Sequence, residues 1–264
     1  MSIFRYHSWW IYILLFFVAQ VSSLLVAFFY TRVSEEQLMV NSTVVISLFT
    51  ANLLAIFLYA FFRPSSVTWS SILDGFRGRN GRRTLLVCLL ALPLTVLINL
   101  AQEVFFPNIP NLVGNEMMLK IMGHPLGLLT VAFLGPLSEE LLFRGGVQVD
   151  LQKRYSDQAW WVIVGLTAAL FSMVHMNPAQ MPIAFILGLL LGFAFWWTGS
   201  LSASICIHVF NNSFACVLGL LSPNDDSLVH LLGGNTAAGL MALVCVFFLV
   251  LLFRAIQKEG LKAA

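Results

Sequence analysis

The sequence predicts an all-α fold, a polytopic membrane bundle of about eight helices. Three observations carry that prediction. Hydrophobic residues make up 59% of the chain and charged residues only 10%, against roughly 25% charged in soluble domains. Mean hydropathy is +0.88. The apolar residues also gather in runs near the length a bilayer core requires, about 20 residues. These runs are too long for barrel strands and lack their period-two alternation. A segment in lipid must satisfy its own backbone hydrogen bonds, so each run is a helix. No soluble domain of useful size fits between them, and residues 1–264 form one integral membrane domain.

Taken in order, the predicted spans are Trp9–Tyr30, Ser42–Phe62, Thr84–Phe106, Pro125–Val149, Ala159–Met176, Pro182–Thr198, Leu201–Leu221 and Leu231–Arg254. The first has no small-residue cleavage site after its apolar run, so it is expected to stay as an uncleaved span. Val67–Phe76 and Asn108–Met122 are too short or too polar to cross, and are expected to lie along the interface. The net charge of +2 is too small to imply nucleic acid. The expected partner at this level is the lipid bilayer. Cys88, Cys206, Cys216 and Cys245 all fall in apolar runs without a CxxC pair. They are expected to be free thiols, with no disulfide framework or zinc-ribbon site.

Basic residues test the span count, because cytoplasmic loops carry the excess of Lys and Arg. Arg63, Arg77, Arg79, Arg82 and Arg83 fall in the second loop, Lys153 and Arg154 in the fourth, and Arg254, Lys258 and Lys262 at the C-terminus. Arg5 precedes the first span. The odd-numbered loops hold only Arg32 and Lys120, and the seventh adds Asp225 and Asp226. Eight spans place every strongly basic segment on one side and both termini in the cytoplasm. The expected location is a bacterial inner membrane.

Two adjacent glutamates, Glu139 and Glu140, stand inside the fourth span. One ionisable side chain at the bilayer centre costs at least roughly 2.5 kcal/mol, so the pair needs partners and a use. Glu140 and Arg144 are four apart and share a helix face, with the acid N-terminal as favoured. Glu139 is turned about 100° away and lacks a sequence-local cation, which leaves it as the better candidate for a general base. Pro136 removes one helical hydrogen bond just before the pair and can open the backbone there. Span five carries Phe171 and His175, and span seven carries His208 and Asn212, again four apart. At about 1.5 Å per residue, the heights of these groups in the bundle converge. Phe171 is expected to pack rather than react. His7, His124 and His230 lie near span ends and are expected to be structural, and Glu103 is expected to be interfacial. Asn52, Asn99 and Gln102 are candidates for hydrogen bonds between helices.

The set Glu139-Glu140-x-x-x-Arg144, Phe171-x-x-x-His175 and His208-x-x-x-Asn212 resembles the CPBP family of intramembrane proteases, which includes the CAAX prenyl protease 2 type. All three motifs occur in order on separate spans. The match runs from about Gly127 to Leu218, within a catalytic core at 125–221, and the turn Trp197-Thr198-Gly199-Ser200-Leu201 is also similar. The resemblance implies a helical membrane fold around an intramembrane catalytic cavity, and hydrolysis of a peptide bond in a membrane-associated protein or peptide substrate by a glutamate-activated water. It implies Glu139 as the base, His175 as the group that orients the water, and His208 with Asn212 as the oxyanion donors. Arg144 and Glu140 are implied as support, and no cofactor is implied.

Competing readings remain at this level. Glu139, His175 and His208 would make a His₂Glu zinc triad, although the chain lacks HExxH. A proton-coupled transporter would also use buried Glu and His, but the chain shows no inverted repeat. A non-catalytic immunity protein keeping the fold is the third.

Overall fold

The computed structural model describes residues 8–33, 37–68, 74–76, 78–105, 109–110, 112, 115–221 and 228–260. Arg5, His7, Arg77, Asp225, Asp226 and Lys262 lie outside the described residues, as do the side chains of Arg32 and Arg79. Among the described residues there are ten helices and no strand: α1 Trp9–Val33, α2 Gln37–Phe62, α3 Gly78–Phe105, α4 Asn115–Met122, α5 Pro125–Arg154, α6 Trp160–Met173, α7 Met181–Thr198, α8 Leu201–Leu221, α9 Leu228–Leu231 and α10 Asn235–Glu259. A helix stands at each of the eight predicted spans. Six of them, α2, α3, α5, α7, α8 and α10, are long and apolar enough to cross a membrane. Trp9–Ser22 and α6 are shorter apolar helices. The chain is an integral membrane protein built as a helical bundle.

Boundaries move where local chemistry overrides apolarity. The fifth predicted span runs to Met176, but α6 stops at Met173. Pro178 disfavours helical backbone at Asn177. The chain leaves the helix through a tight turn, His175 N–H to Ser172 O at 3.3 Å, and Met176 takes φ 47°. His175 therefore lies just beyond the helix, not within it. The predicted Leu231–Arg254 span begins four residues later, because Gly233 and Gly234 take φ 95° and 103° and separate α9 from α10. Such values suit glycine, which lacks the Cβ that would clash. α4 forms inside the stretch expected to lie along the interface, with Glu116 and Lys120 exposed and paired at 2.6 Å.

Cross-links define two ends of the bundle. At one end Trp9 N–H donates to Asp150 at 2.8 Å, Arg154 donates to Ser8 at 3.1 Å, and Tyr12 donates to Phe62 O at 3.0 Å. Trp160 stacks on Trp196 there, with ring centroids 4.4 Å apart. The buried Arg83 donates to Trp197 O at 2.8 Å, and the Trp197 indole donates to Gly260 O at 2.9 Å. At the other end Glu103 accepts the N–H groups of Leu228 and Val229 at 2.5 and 3.1 Å. Glu103, expected to be interfacial, thus caps α9. Asn177 accepts Leu112 N–H at 3.2 Å at the same end.

α5 is the central element. It packs on α1, α2 and α8, and two of its turns are π-helical, Thr130–Leu134 and Phe143–Gln148. In the second, a Cβ at Gly146 would fall on the Tyr12 ring and one at Gly145 on the Tyr59 hydroxyl. These glycines let α1 and α2 close on the bundle. Gly146→Ala forces the aromatic ring away, and overpacking of this kind typically costs about 1–3 kcal/mol. The expected result is a lower Tm in detergent, read by thiol-reactive or tryptophan-fluorescence melting.

Candidate active site

The two glutamates stand on the short α-helical stretch Gly135–Leu142, between the two π-helical turns. Pro136 explains the first. Its nitrogen has no hydrogen to give, and the preceding turn widens so that Gly135 N–H reaches back five residues to Thr130 O. The helix stays continuous instead of breaking. Single π turns inside α-helices recur at functional sites.

Glu140 is fully buried and Glu139 is 20% exposed. Arg144 Nη1 donates to Glu140 Oε1 at 2.7 Å, the expected pair one turn apart. Arg144 Nη2 donates to Gly188 O at 3.2 Å on α7, and its guanidinium lies 4.5 Å from the centroid of the Phe171 ring. A buried ion pair depends on further contacts to its remaining polar atoms; α6 and α7 supply these two, while Arg144 Nε and Glu140 Oε2 are buried without a hydrogen-bond partner among the described residues.

His208 joins the two carboxylates. Its Nδ1 lies 2.9 Å from Glu140 Oε1, and its Nε2 lies 3.7 Å from Glu139 Oε2. A carboxylate only accepts, so Nδ1 carries the hydrogen. The Nε2 contact exceeds hydrogen-bond length, so Nε2 is not tied to Glu139. Although the glutamates are 100° apart on α5, one imidazole ring spans both.

Phe171 is the hub of the ring contacts. It meets Phe143, His175 and His208 edge-on, with centroids at 5.3, 4.9 and 5.6 Å. Its side chain packs, as expected from the sequence, and its carbonyl has a second role. His175 Nδ1 lies 2.8 Å from Phe171 O. A carbonyl accepts, so Nδ1–H donates and Nε2 carries the lone pair. His175 is half-buried while His208 is 2% exposed.

Asn212 lies one turn beyond His208. Its Nδ2 donates to Val131 O at 3.1 Å, and its Oδ1 accepts from Asn211 at 3.3 Å. Val131 belongs to the first π-helical turn of α5. The structure therefore brings Glu139, Glu140, Arg144, Phe171, His175 and His208 together, with Asn212 at the margin. His124 caps its own short turn through Leu126 N–H, in keeping with a structural role.

Several supporting residues escape a reading of motifs. Ser138 donates to Asn52 Oδ1 at 2.6 Å and ties α2 to α5 beside Glu139. Asn52 was a candidate for such a bond, but its partner lies 86 residues away. Gln148 donates to Gly192 O at 2.9 Å and ties α5 to α7. Asn99 instead bonds within its own helix, to Thr95 O at 2.8 Å. The asparagine satisfies the carbonyl one turn before it. Among the described residues, no three His, Cys, Asp or Glu side chains form a group able to hold a metal ion.

Fold and site together define a helical membrane protein with a buried Glu–Arg–His cluster and an adjacent His and Asn. Residues 122–214 match the Rce1-like family model, described as type II CAAX prenyl endopeptidase Rce1-like. A 102-residue stretch is 28% identical to the membrane-embedded CAAX protease MroQ of Staphylococcus aureus (strain USA300). That stretch covers 38% of this chain and 41% of the relative, so the chain matches about two fifths of the relative's length. No solved structure matches the chain. These matches support placing the motif-bearing core with the CPBP, or CAAX protease, family.

Proposed function

We propose that this protein is an intramembrane endopeptidase that hydrolyses a peptide bond of a membrane-associated protein or peptide. The observation that carries the reading is the His208 ring, held at Nδ1 by one carboxylate and facing a second, more exposed carboxylate at Nε2. In this reading Glu139 takes a proton from water, and the resulting hydroxide attacks the substrate carbonyl carbon. His175 Nε2 accepts a hydrogen bond from the water's other O–H, which stays on the hydroxide, and so fixes the attack direction. The carbonyl oxygen becomes an oxyanion and accepts hydrogen bonds from Asn212 Nδ2–H and from His208 Nε2–H, a role in which the His208 ring carries hydrogens on both nitrogens. Glu139 then returns its proton to the leaving nitrogen as the C–N bond breaks. Glu140 stands behind His208 Nδ1–H and is a positioning residue, itself held by Arg144. Catalysis in this scheme uses no metal, and the basic end of the bundle faces the cytoplasm with both termini.

Asn212→Ala tests the oxyanion role. Removing one such donor typically lowers turnover about 10²–10³-fold. The expected result is that loss in kcat with KM nearly unchanged, measured on purified protein with a quenched-fluorescence peptide. The same assay run with a chelator is expected to show full activity. Activity lost to the chelator and restored by zinc would replace this scheme with a metal centre on Glu139, His175 and His208.

A further inference from the structure

The candidate site spans the middle of the bundle, with Glu139 midway along α5, and its His175 and Asn212 reach toward one end, which the charges identify. Arg63, Arg82, Arg83, Lys153, Arg154, Arg254 and Lys258 gather where α2, α5, α7 and α10 finish and α3, α6 and α8 begin. Trp9, Trp10, Trp160, Trp161, Trp196 and Trp197 mark that same level. Tryptophan prefers the headgroup region, and basic loops stay in the cytoplasm. His175 follows the far end of α6, and Val131, which holds Asn212, lies in the second turn from the far start of α5.

A cavity of about 400 Å³ opens at that far end, within the usual range of ligand pockets, roughly 300–1,000 Å³. Asn212 and Val131 form part of its wall, so it adjoins the candidate site. Met118, Leu119 and Met122 of α4 line it as well, together with the polar side chains Asn99 and Gln180. Methionine is unbranched and adapts to differently shaped apolar groups, and side-chain amides match the hydrogen bonding of a peptide backbone. Glu103 pins α9 across the same opening by accepting two of its N–H groups.

We infer that this cavity receives an apolar, extended peptide segment from the membrane face opposite the basic loops, and passes its scissile bond to Asn212 and His208. The inference deepens the peptidase reading and rests on it for the fate of the peptide. Substrates would be membrane proteins whose cleaved segment emerges on the extracytoplasmic side.

Cysteine labelling in spheroplasts tests both parts. The chain is expressed with its four native cysteines changed to alanine, and each variant is checked by thermal melting. Met118→Cys and Gln180→Cys are expected to react with an impermeant maleimide added outside. Tyr155→Cys, exposed at the basic end, is expected to react only after permeabilisation. Saturating acetyl-Leu-Leu-methioninal, an apolar peptide aldehyde, is expected to slow labelling of both cavity cysteines by about an order of magnitude, because only unoccupied sites react. Labelling of Tyr155→Cys from outside, with both cavity cysteines protected, would overturn the assignment of the face. Unchanged rates under the aldehyde would overturn peptide docking. Neither readout needs turnover. Loss of any dependence of cleavage on Glu139, with this labelling pattern intact, would count against the peptidase reading and support the access route alone.

Discussion

Glu139→Gln is expected to bring cleavage to background while leaving the fold intact. The substitution keeps size and polarity but removes the base. Positioned general bases contribute about 10²–10⁴-fold, and in the proposed scheme the same carboxylate also returns the proton to the leaving nitrogen. Glu139 is the carboxylate with solvent access, 20% exposed against 0% for Glu140. Among the described residues its side chain makes no hydrogen bond that holds α5 in place; the ties around it run through Glu140, Arg144, Ser138 and Gln148. Melting of the variant should therefore match the wild type within error. Comparing membrane proteomes of cells carrying either form is expected to show a protein whose terminus changes only with the wild type. Equal cleavage by both forms would remove Glu139 from the mechanism.

Much of this site was legible because its parts repeat at helical spacing. Glu140 with Arg144, and His208 with Asn212, are one turn apart, and that geometry travels with the sequence. The eight apolar runs likewise carry their own helical assignment. What escaped depends on partners far along the chain. The 68-residue link from Glu140 to His208 follows from helix packing, which no local pattern encodes. The rotation of the two glutamates suggested that they face apart, yet one imidazole touches both because the ring is wide enough to bridge them. The place of His175 beyond α6 depends on Pro178, whose effect on the preceding residues outweighs the apolar run. Pro136 signalled an opened backbone; the form it takes, a π-helical turn with an unbroken helix, required coordinates.

Arg144→Met is expected to produce the largest loss of stability. The guanidinium and the Glu140 carboxylate are both fully buried and 2.7 Å apart. Removing one member of a buried pair leaves the other charge uncompensated, at a cost of about 3–5 kcal/mol. Methionine fills similar volume, so the loss reports charge more than packing. It also removes the bond to Gly188 O and the contact with the Phe171 ring, loosening α5 from α6 and α7. The double variant Glu140→Gln/Arg144→Met separates these effects. With no charge left unpaired, most of the lost Tm is expected to return. Activity is expected to stay low even so. A glutamine amide can still accept the Nδ1–H of His208, but it carries no negative charge to support the doubly protonated ring that the proposed oxyanion role requires. Stability restored without activity identifies Glu140 as a positioning residue for His208. Recovery of both would reduce the pair to a structural tie, and recovery of neither would place its contribution in the packing of Arg144 against Phe171.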